Sequence, residues 1–191
     1  MKPFTAALLA GGKSRRMGFD KCLLEFEGTP LWKHQLELLK SVTDEVLVVA
    51  PIRPAWLPAE IRWVADAVPD QGPLGGLTSA LGASSRDHTL LLAIDLPQMT
   101  PTYLCRMIAL AEPNQSVVPE WNSHFEPLCA IYARCVRDIA LDLLATSDKS
   151  LQQLVRMLRA RGLARPLEVS AEDHVLFRNL NRPSDCENAG S

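Results

Sequence analysis

The sequence predicts an α/β fold, a single-domain three-layer αβα sandwich around a mostly parallel sheet. Three observations carry this. Short apolar runs alternate with helical patterns along the chain, the rhythm of βα units that places helices on both faces of a parallel sheet. Two runs, Phe4 to Ala10 and Thr89 to Ile94, are almost continuously apolar, as strands buried on both faces must be. Finally, 191 residues with 47% hydrophobic content suit one domain with one good core. No repeat, low-complexity tract or linker divides residues 1–191, so one domain is expected.

The elements follow in order. The first strand, Phe4 to Ala10, precedes a helix from Pro30 to Ser41, for which Thr29 is the cap, Pro30 the first turn, and Leu31, Leu38 and Leu39 the apolar face. Strands are expected at Glu45 to Ala50 and Arg62 to Ala65. A helix from Leu74 to Ser84 follows the turn Gly72-Pro73-Leu74-Gly75-Gly76, and the buried strand Thr89 to Ile94 comes next. Thr100-Pro101 opens a helix to Ala111. Ser116 to Pro119 and Pro127 to Tyr132 read as strands joined by the polar segment Glu120 to Glu126. Helices at Arg134 to Ala145 and Ser150 to Arg161 and a last strand at Leu167 to Ser170 complete the pattern, with room for one antiparallel strand.

Twenty Lys and Arg against 22 Asp and Glu leave a formal charge of −2, which argues against a general nucleic-acid binder. Cys22, Cys105, Cys129, Cys135 and Cys186 are scattered and form no C-x-x-C pair, so reduced, structural thiols of a cytoplasmic protein are expected. The N-terminal apolar run is too short to span a membrane, and its cations follow it where a signal peptide would put them first. No membrane association is expected.

The chemistry concentrates after the first strand, in Leu9-Ala10-Gly11-Gly12-Lys13-Ser14-Arg15-Arg16-Met17-Gly18-Phe19-Asp20-Lys21. A strand ending in two glycines can aim backbone amides at a ligand, because no side chain blocks the approach. Lys13, Arg15, Arg16 and Lys21 add positive charge, and together they suit a polyphosphate. A Walker A loop ending at Gly12-Lys13-Ser14 would need Gly where Ala7 stands, and G-x-G-x-x-G is absent. The competing reading is a solvated basic loop.

Ligands of open α/β sheets collect beyond the carboxyl ends of the strands, where Asp66 and Asp95 stand. Asp95 makes a poor helix cap, since Pro97 follows and Thr100-Pro101 is the better helix start. A hard carboxylate beside a polyphosphate suits Mg²⁺, which shares phosphate oxygens and keeps its waters. Asp66 fits loop capping and ligand contact equally on residue chemistry.

The run Leu9-Ala10-Gly11-Gly12, with Ser14, Arg16-Met17-Gly18 and Lys21, resembles the signature of nucleotidyltransferases with a Rossmann-like fold. Within that group the chain is most similar to the molybdenum cofactor guanylyltransferases. Gly72-Pro73-Leu74-Gly75-Gly76-Leu77, Ala93-Ile94-Asp95-Leu96-Pro97, Glu126-Pro127-Leu128 and Arg178-Asn179-Leu180-Asn181-Arg182-Pro183-Ser184-Asp185 extend the likeness over nearly the whole chain.

The resemblance implies an Mg²⁺-dependent enzyme that transfers GMP from GTP to molybdopterin. It implies GTP contacts at Leu9, Ala10, Gly11, Gly12, Lys21, Asp66, Gly75 and Asp95, catalytic roles for Arg16, Lys21 and Asp95, and metal binding at Asp95. The Gly72 to Leu77 segment would border the guanine, and Gly11 stands where related cytidine-nucleotide enzymes carry Ala. One departure is Val49, at a position where guanylyltransferases often have Asn.

Asn179 and Asn181 alternate across Leu180, so in an extended segment both amides face one side. Amides suit a pterin edge, and the resemblance makes these two the molybdopterin end, whereas chemistry alone favours reading them as turn residues before Pro183. Arg178 and His124 could line the same cleft, and no histidine is read as catalytic. Transient contacts with cofactor-biosynthesis proteins and recipient molybdoenzymes are implied by the same likeness. Two other functions share these features: a nucleotidyltransferase using CTP on molybdopterin or an NTP on a sugar or polyol phosphate, and a non-catalytic nucleotide-binding protein.

Overall fold

The computed structural model describes residues 3–11, 20–66 and 71–180. The strands are β1 (Thr5–Leu9), β2 (Glu25–Phe26), β3 (Thr29–Pro30), β4 (Glu45–Ala50), β5 (Arg62–Ala65), β6 (His88–Ala93), β7 (Ser116–Trp121), β8 (His124–Phe125), β9 (Cys129–Ala133) and β10 (Ala164–Glu168). The helices are α1 (Leu31–Lys40), α2 (Gly72–Ala83), α3 (Pro101–Ala109), α4 (Val136–Leu144) and α5 (Leu151–Ala160).

The main sheet runs β10-β7-β9-β6-β1-β4-β5, with β8 added beside β7. β1 pairs in parallel with both β4 and β6, Leu9 lying opposite Val49 on one side and Ala93 on the other. Along that path β9 alone runs against its neighbours, antiparallel to β6 and to β7. The predicted architecture, mostly parallel with one reversed strand, is therefore the one observed.

Successive residues of each central strand point to opposite faces, and the core divides accordingly. Ala6, Leu8, Leu90, Leu92 and Ile131 join α1 and α3 in one layer. Ala7, Leu9, Leu91, Ala130 and Tyr132 join α2, α4 and α5 in the other. Every residue of β1 and β6 is buried, which explains why these two runs show no alternation.

Most expected bounds shift by one to three residues, and four of the differences have an identifiable cause. Thr29 and Pro30 pair with Phe26 and Glu25 in a small hairpin, so α1 starts at Leu31 without a side-chain cap. The segment expected to be a turn before α2 is itself helical from Gly72 onward, with Pro73 in the first turn. The polar link Glu120 to Glu126 is a hairpin, in which Asn122 and Ser123 both take positive φ, 48° and 65°, the combination favoured by two-residue hairpin turns. The last strand runs Ala164–Glu168 rather than Leu167 to Ser170. Pro166 lies within it, which an edge strand tolerates because only one side is paired. By contrast, Thr100 caps α3 as expected, its Oγ1 accepting from the Tyr103 amide at 3.2 Å.

Candidate active site

The carboxyl ends of β1, β4, β5 and β6 are fastened side by side. The Ala10 amide donates to the Val49 carbonyl at 3.0 Å, the Ile94 amide to Leu9 at 3.2 Å, and the Asp66 amide to Ala50 at 3.3 Å. Because β9 is reversed, its beginning arrives at this same end, and the Ala93 amide donates to Leu128 at 2.8 Å. Asp95 emerges in the middle. Its backbone carbonyl accepts the Leu180 amide at 2.8 Å, so the far C-terminal segment also meets the site here.

Lys21 Nζ lies 3.3 Å from Asp95 Oδ2, with the two side chains 18% and 20% exposed. A single 3-10 turn, Lys21–Leu23, presents the lysine. Asp20 caps that turn by accepting from the Cys22 amide at 3.0 Å. Cys22 is buried beneath, with its Sγ 3.7 Å from the Ala10 carbonyl. The loop after β6 is held from behind by α1, where the wholly buried Gln35 donates Nε2–H to Leu96 O at 2.7 Å. His34 Nε2 stands 2.8 Å from Pro97 O. Sequence reasoning left His34 without a role and passed over Gln35. A buried glutamine on an otherwise apolar helix face was the available signal, since such a group requires a partner.

The start of α2 presses onto β1. Gly75 is buried, and a Cβ on Gly76 would come within 2.9 Å of Leu9 Cδ2. Gly11 is exposed just past β1, where a Cβ would meet Pro51 Cδ at 3.0 Å. Asp66 is half-buried beyond β5. Val49, at the departure from the family pattern, is buried in the core beside Leu9 and Leu77, so its side chain is packing material.

On the far side of Asp95, Asn179 and Arg178 are exposed, and Leu180 between the two asparagines is buried. His124 is exposed on the β7–β8 hairpin. Glu126 is half-buried, and its carboxyl is held above the usual range by desolvation, an effect opposed by His124. The structure thus brings together Leu9, Ala10, Lys21 and Asp95 directly, with Gly11, Asp66 and Gly75 at neighbouring strand and helix ends. Gly12, Arg16 and Asn181 lie outside the described residues.

The donor set bears on a metal. Among the described residues there is no group of three or more His, Cys, Asp or Glu side chains that could hold an ion. A partly exposed lone carboxylate such as Asp95 fits a hard divalent cation only if bound phosphates and water supply the other ligands, and the strand exits around it leave that arrangement open. Among the described residues no helix is long and apolar enough to cross a membrane.

Comparison with known proteins gives a consistent pattern. The family described as "MobA-like NTP transferase domain" matches residues 6–165. The molybdenum cofactor guanylyltransferase of Xanthomonas euvesicatoria is 33% identical over 186 residues, covering 95% of this chain and 92% of its own. The probable molybdenum cofactor guanylyltransferase of Pelotomaculum thermopropionicum is 32% identical over 187 residues, covering 97% and 91%. Among solved structures, molybdopterin-guanine dinucleotide biosynthesis protein A from Archaeoglobus fulgidus superposes with a TM-score of 0.75 at 21% identity, covering 97% of this chain and 96% of that one, which supports the fold.

Proposed function

The chain belongs to the family of MobA-like NTP transferase domains, and from that membership we propose that it transfers GMP from GTP to molybdopterin, acting as one domain over residues 1–191. A terminal phosphate oxygen of molybdopterin attacks the α-phosphorus of GTP, the bond to the β-phosphate oxygen breaks, and pyrophosphate leaves. No covalent enzyme intermediate is needed. Both reactants are anions, so the protein's task is to neutralise charge and hold the two in line.

The observation that carries this reading is the Lys21–Asp95 pair at the exit of β6, beside the Leu9–Gly11 exit of β1. In our assignment Gly11 and Gly12 offer their amides to the phosphates. The Ala10 amide is committed to Val49, so Leu9 and Ala10 contribute backbone shape and the amide cradle begins at Gly11. Arg16 and Lys21 neutralise the triphosphate and the departing pyrophosphate. Gly75 and the first turn of α2 border the guanine, Asp66 contacts the nucleoside, and Asn179 and Asn181 receive the pterin.

Nucleotidyltransferases of this family generally use a divalent metal, and we assign Mg²⁺ to Asp95. When bound, Mg²⁺ offsets the charge of the reacting phosphates. The reaction takes place in the cytoplasm, where handover to other cofactor-biosynthesis proteins and to recipient molybdoenzymes needs only transient contacts; nucleic acid and membrane have no part in it.

The test compares nucleotides. With Mg²⁺ present, GTP is expected to raise the melting temperature at lower concentration than CTP or ATP, because a ligand at 100 times its Kd adds about 2.7 kcal/mol to the native state. GTP-dependent pyrophosphate release on adding molybdenum-loaded molybdopterin should follow the same preference. Equal protection by CTP would overturn the guanine assignment and leave a cytidylyltransferase of the same fold.

A further inference from the structure

Residues 169–180 form a strap that crosses from β10 to Asp95, and it is fastened along its length. The Val169 amide donates to Glu120 O at 3.0 Å. The Asp173 amide donates to Ser170 Oγ at 3.0 Å. Arg106 of α3 donates from Nη2 to Asp173 Oδ2 at 2.7 Å, while its guanidinium carbon sits 4.6 Å over the Tyr103 ring. Tyr103 meets Phe177 edge to face, with centroids 5.4 Å apart, and His174 lies on Trp121 at 4.8 Å. Phe177 and Leu180 are buried in the core layer of α1 and α3, and the strap ends on the Asp95 carbonyl.

We infer that Arg106 is a positioning residue for the acceptor substrate: by stacking on Tyr103 and gripping Asp173 it sets the strap that carries Asn179 to the Asp95 end of the sheet. The inference rests on the reading of Asn179 above. Geometry supports it over plain stabilisation. Arg106 is exposed and spends its charge on one carboxylate of the strap, and surface pairs of that kind add little to global stability. A planar guanidinium that stacks and donates at once does, however, restrict orientation in a way an ammonium cannot. Holding a contact group in register lowers the ordering that binding must supply.

The experiment uses the full chain with Arg106→Ala, Arg106→Lys and Asp173→Asn, reading amide hydrogen exchange of residues 173–180, melting temperature, and KM for each substrate. Arg106→Ala should speed exchange at Leu180 and raise the acceptor KM on the order of tenfold, short of the 100-fold that an ångström of misplacement can cost. The GTP KM should change by a smaller factor, within about threefold, because the strap reaches Asp95 only through its backbone carbonyl, whereas it carries Asn179 itself. Asp173→Asn should match it, and Arg106→Lys should recover part of the acceptor KM. Unchanged exchange at Leu180, or equal rises in both KM values, would overturn the inference. If the wild type instead transfers its nucleotide to a different acceptor phosphate, the functional reading falls, while the exchange rates and that acceptor's KM still decide whether Arg106 positions the strap.

Discussion

Lys21 Nζ and Asp95 Oδ2 stand 3.3 Å apart, although the two residues lie far apart in sequence and belong to different chain crossings. One follows the exit of β1, the other the exit of β6, and the parallel pairing of those strands brings them together. In the proposed function this pair sets a cation for phosphate charge beside a carboxylate for a metal, each able to hold the other when neither ligand is present.

Lys21→Ala should therefore lose far more turnover than Lys13→Ala. Removing one preorganised charge from a transition state costs on the order of 100-fold to 1,000-fold, whereas Lys13 is not among the residues that carry the family resemblance. Steady-state rates of the two variants side by side make the comparison. Small, equal losses would reduce the whole loop to a basic surface.

Asp95→Asn should leave the fold intact and abolish turnover. The Leu180 bond uses the Asp95 backbone carbonyl, which the substitution keeps, while the charge a hard cation requires is gone. A Mg²⁺ titration of activity, with a melting curve of the same variant, reads both effects. Near-normal activity at an unshifted Mg²⁺ requirement would remove Asp95 from the mechanism.

Gln35→Leu should destabilise the protein by about 0.5–1.5 kcal/mol, the net value of the bond it gives the Leu96 carbonyl, which keeps the Met99 amide at 3.3 Å as its other donor. The same variant should lose activity beyond its loss of stability, because Leu96 follows Asp95 directly. Urea denaturation midpoints and the rate well below the melting temperature separate the two. An unchanged midpoint would show that the Met99 amide alone suffices for the Leu96 carbonyl.

Glu45 makes stability depend on acid at the opposite end of the sheet. Burial pushes its carboxyl up, but hydrogen bonds from Ser85 Oγ at 2.6 Å and Thr5 Oγ1 at 2.8 Å, with the Ser85 amide and Arg86, outweigh that and hold it below the ordinary glutamate value. A carboxyl lowered on folding contributes stability above its unfolded value, and that share disappears as pH falls through the folded one. Glu45→Gln should accordingly lower the denaturation midpoint at pH 7 and lose that deficit below about pH 4. Deficits that stay constant across this range would mean the charge is not what Glu45 contributes.

The central sheet was legible because β1 and β6 are apolar on both faces, and the placement of candidate residues was legible wherever they fall at a strand end, as Gly11, Asp66 and Asp95 do. What hid was set by pairing between distant segments. Pro166 masked β10 because a proline argues against a strand until the strand is known to be an edge. Thr29 is a local exception: it looked like a helix cap, but the Glu27-Gly28 turn pairs it with Phe26 instead. Gln35 signalled only that it needed a partner, because that partner, Leu96, comes from another crossing. Arg106 was silent for the same reason, since Asp173 meets it only once the strap is laid down.

The bond from Leu180 to Asp95 closes a stretch of chain nearly half the length of the protein. During synthesis β1, β4, β5 and β6 emerge and can pair long before residue 180 leaves the ribosome, at roughly 5–20 residues per second. For several seconds a growing chain holds the residues we assign to the phosphates, and Asp95, but lacks the strap that carries Asn179. On the proposed assignment the nucleotide half of the site is ready before the acceptor half exists, and nascent chains are expected to gain affinity for the two substrates at different moments of translation.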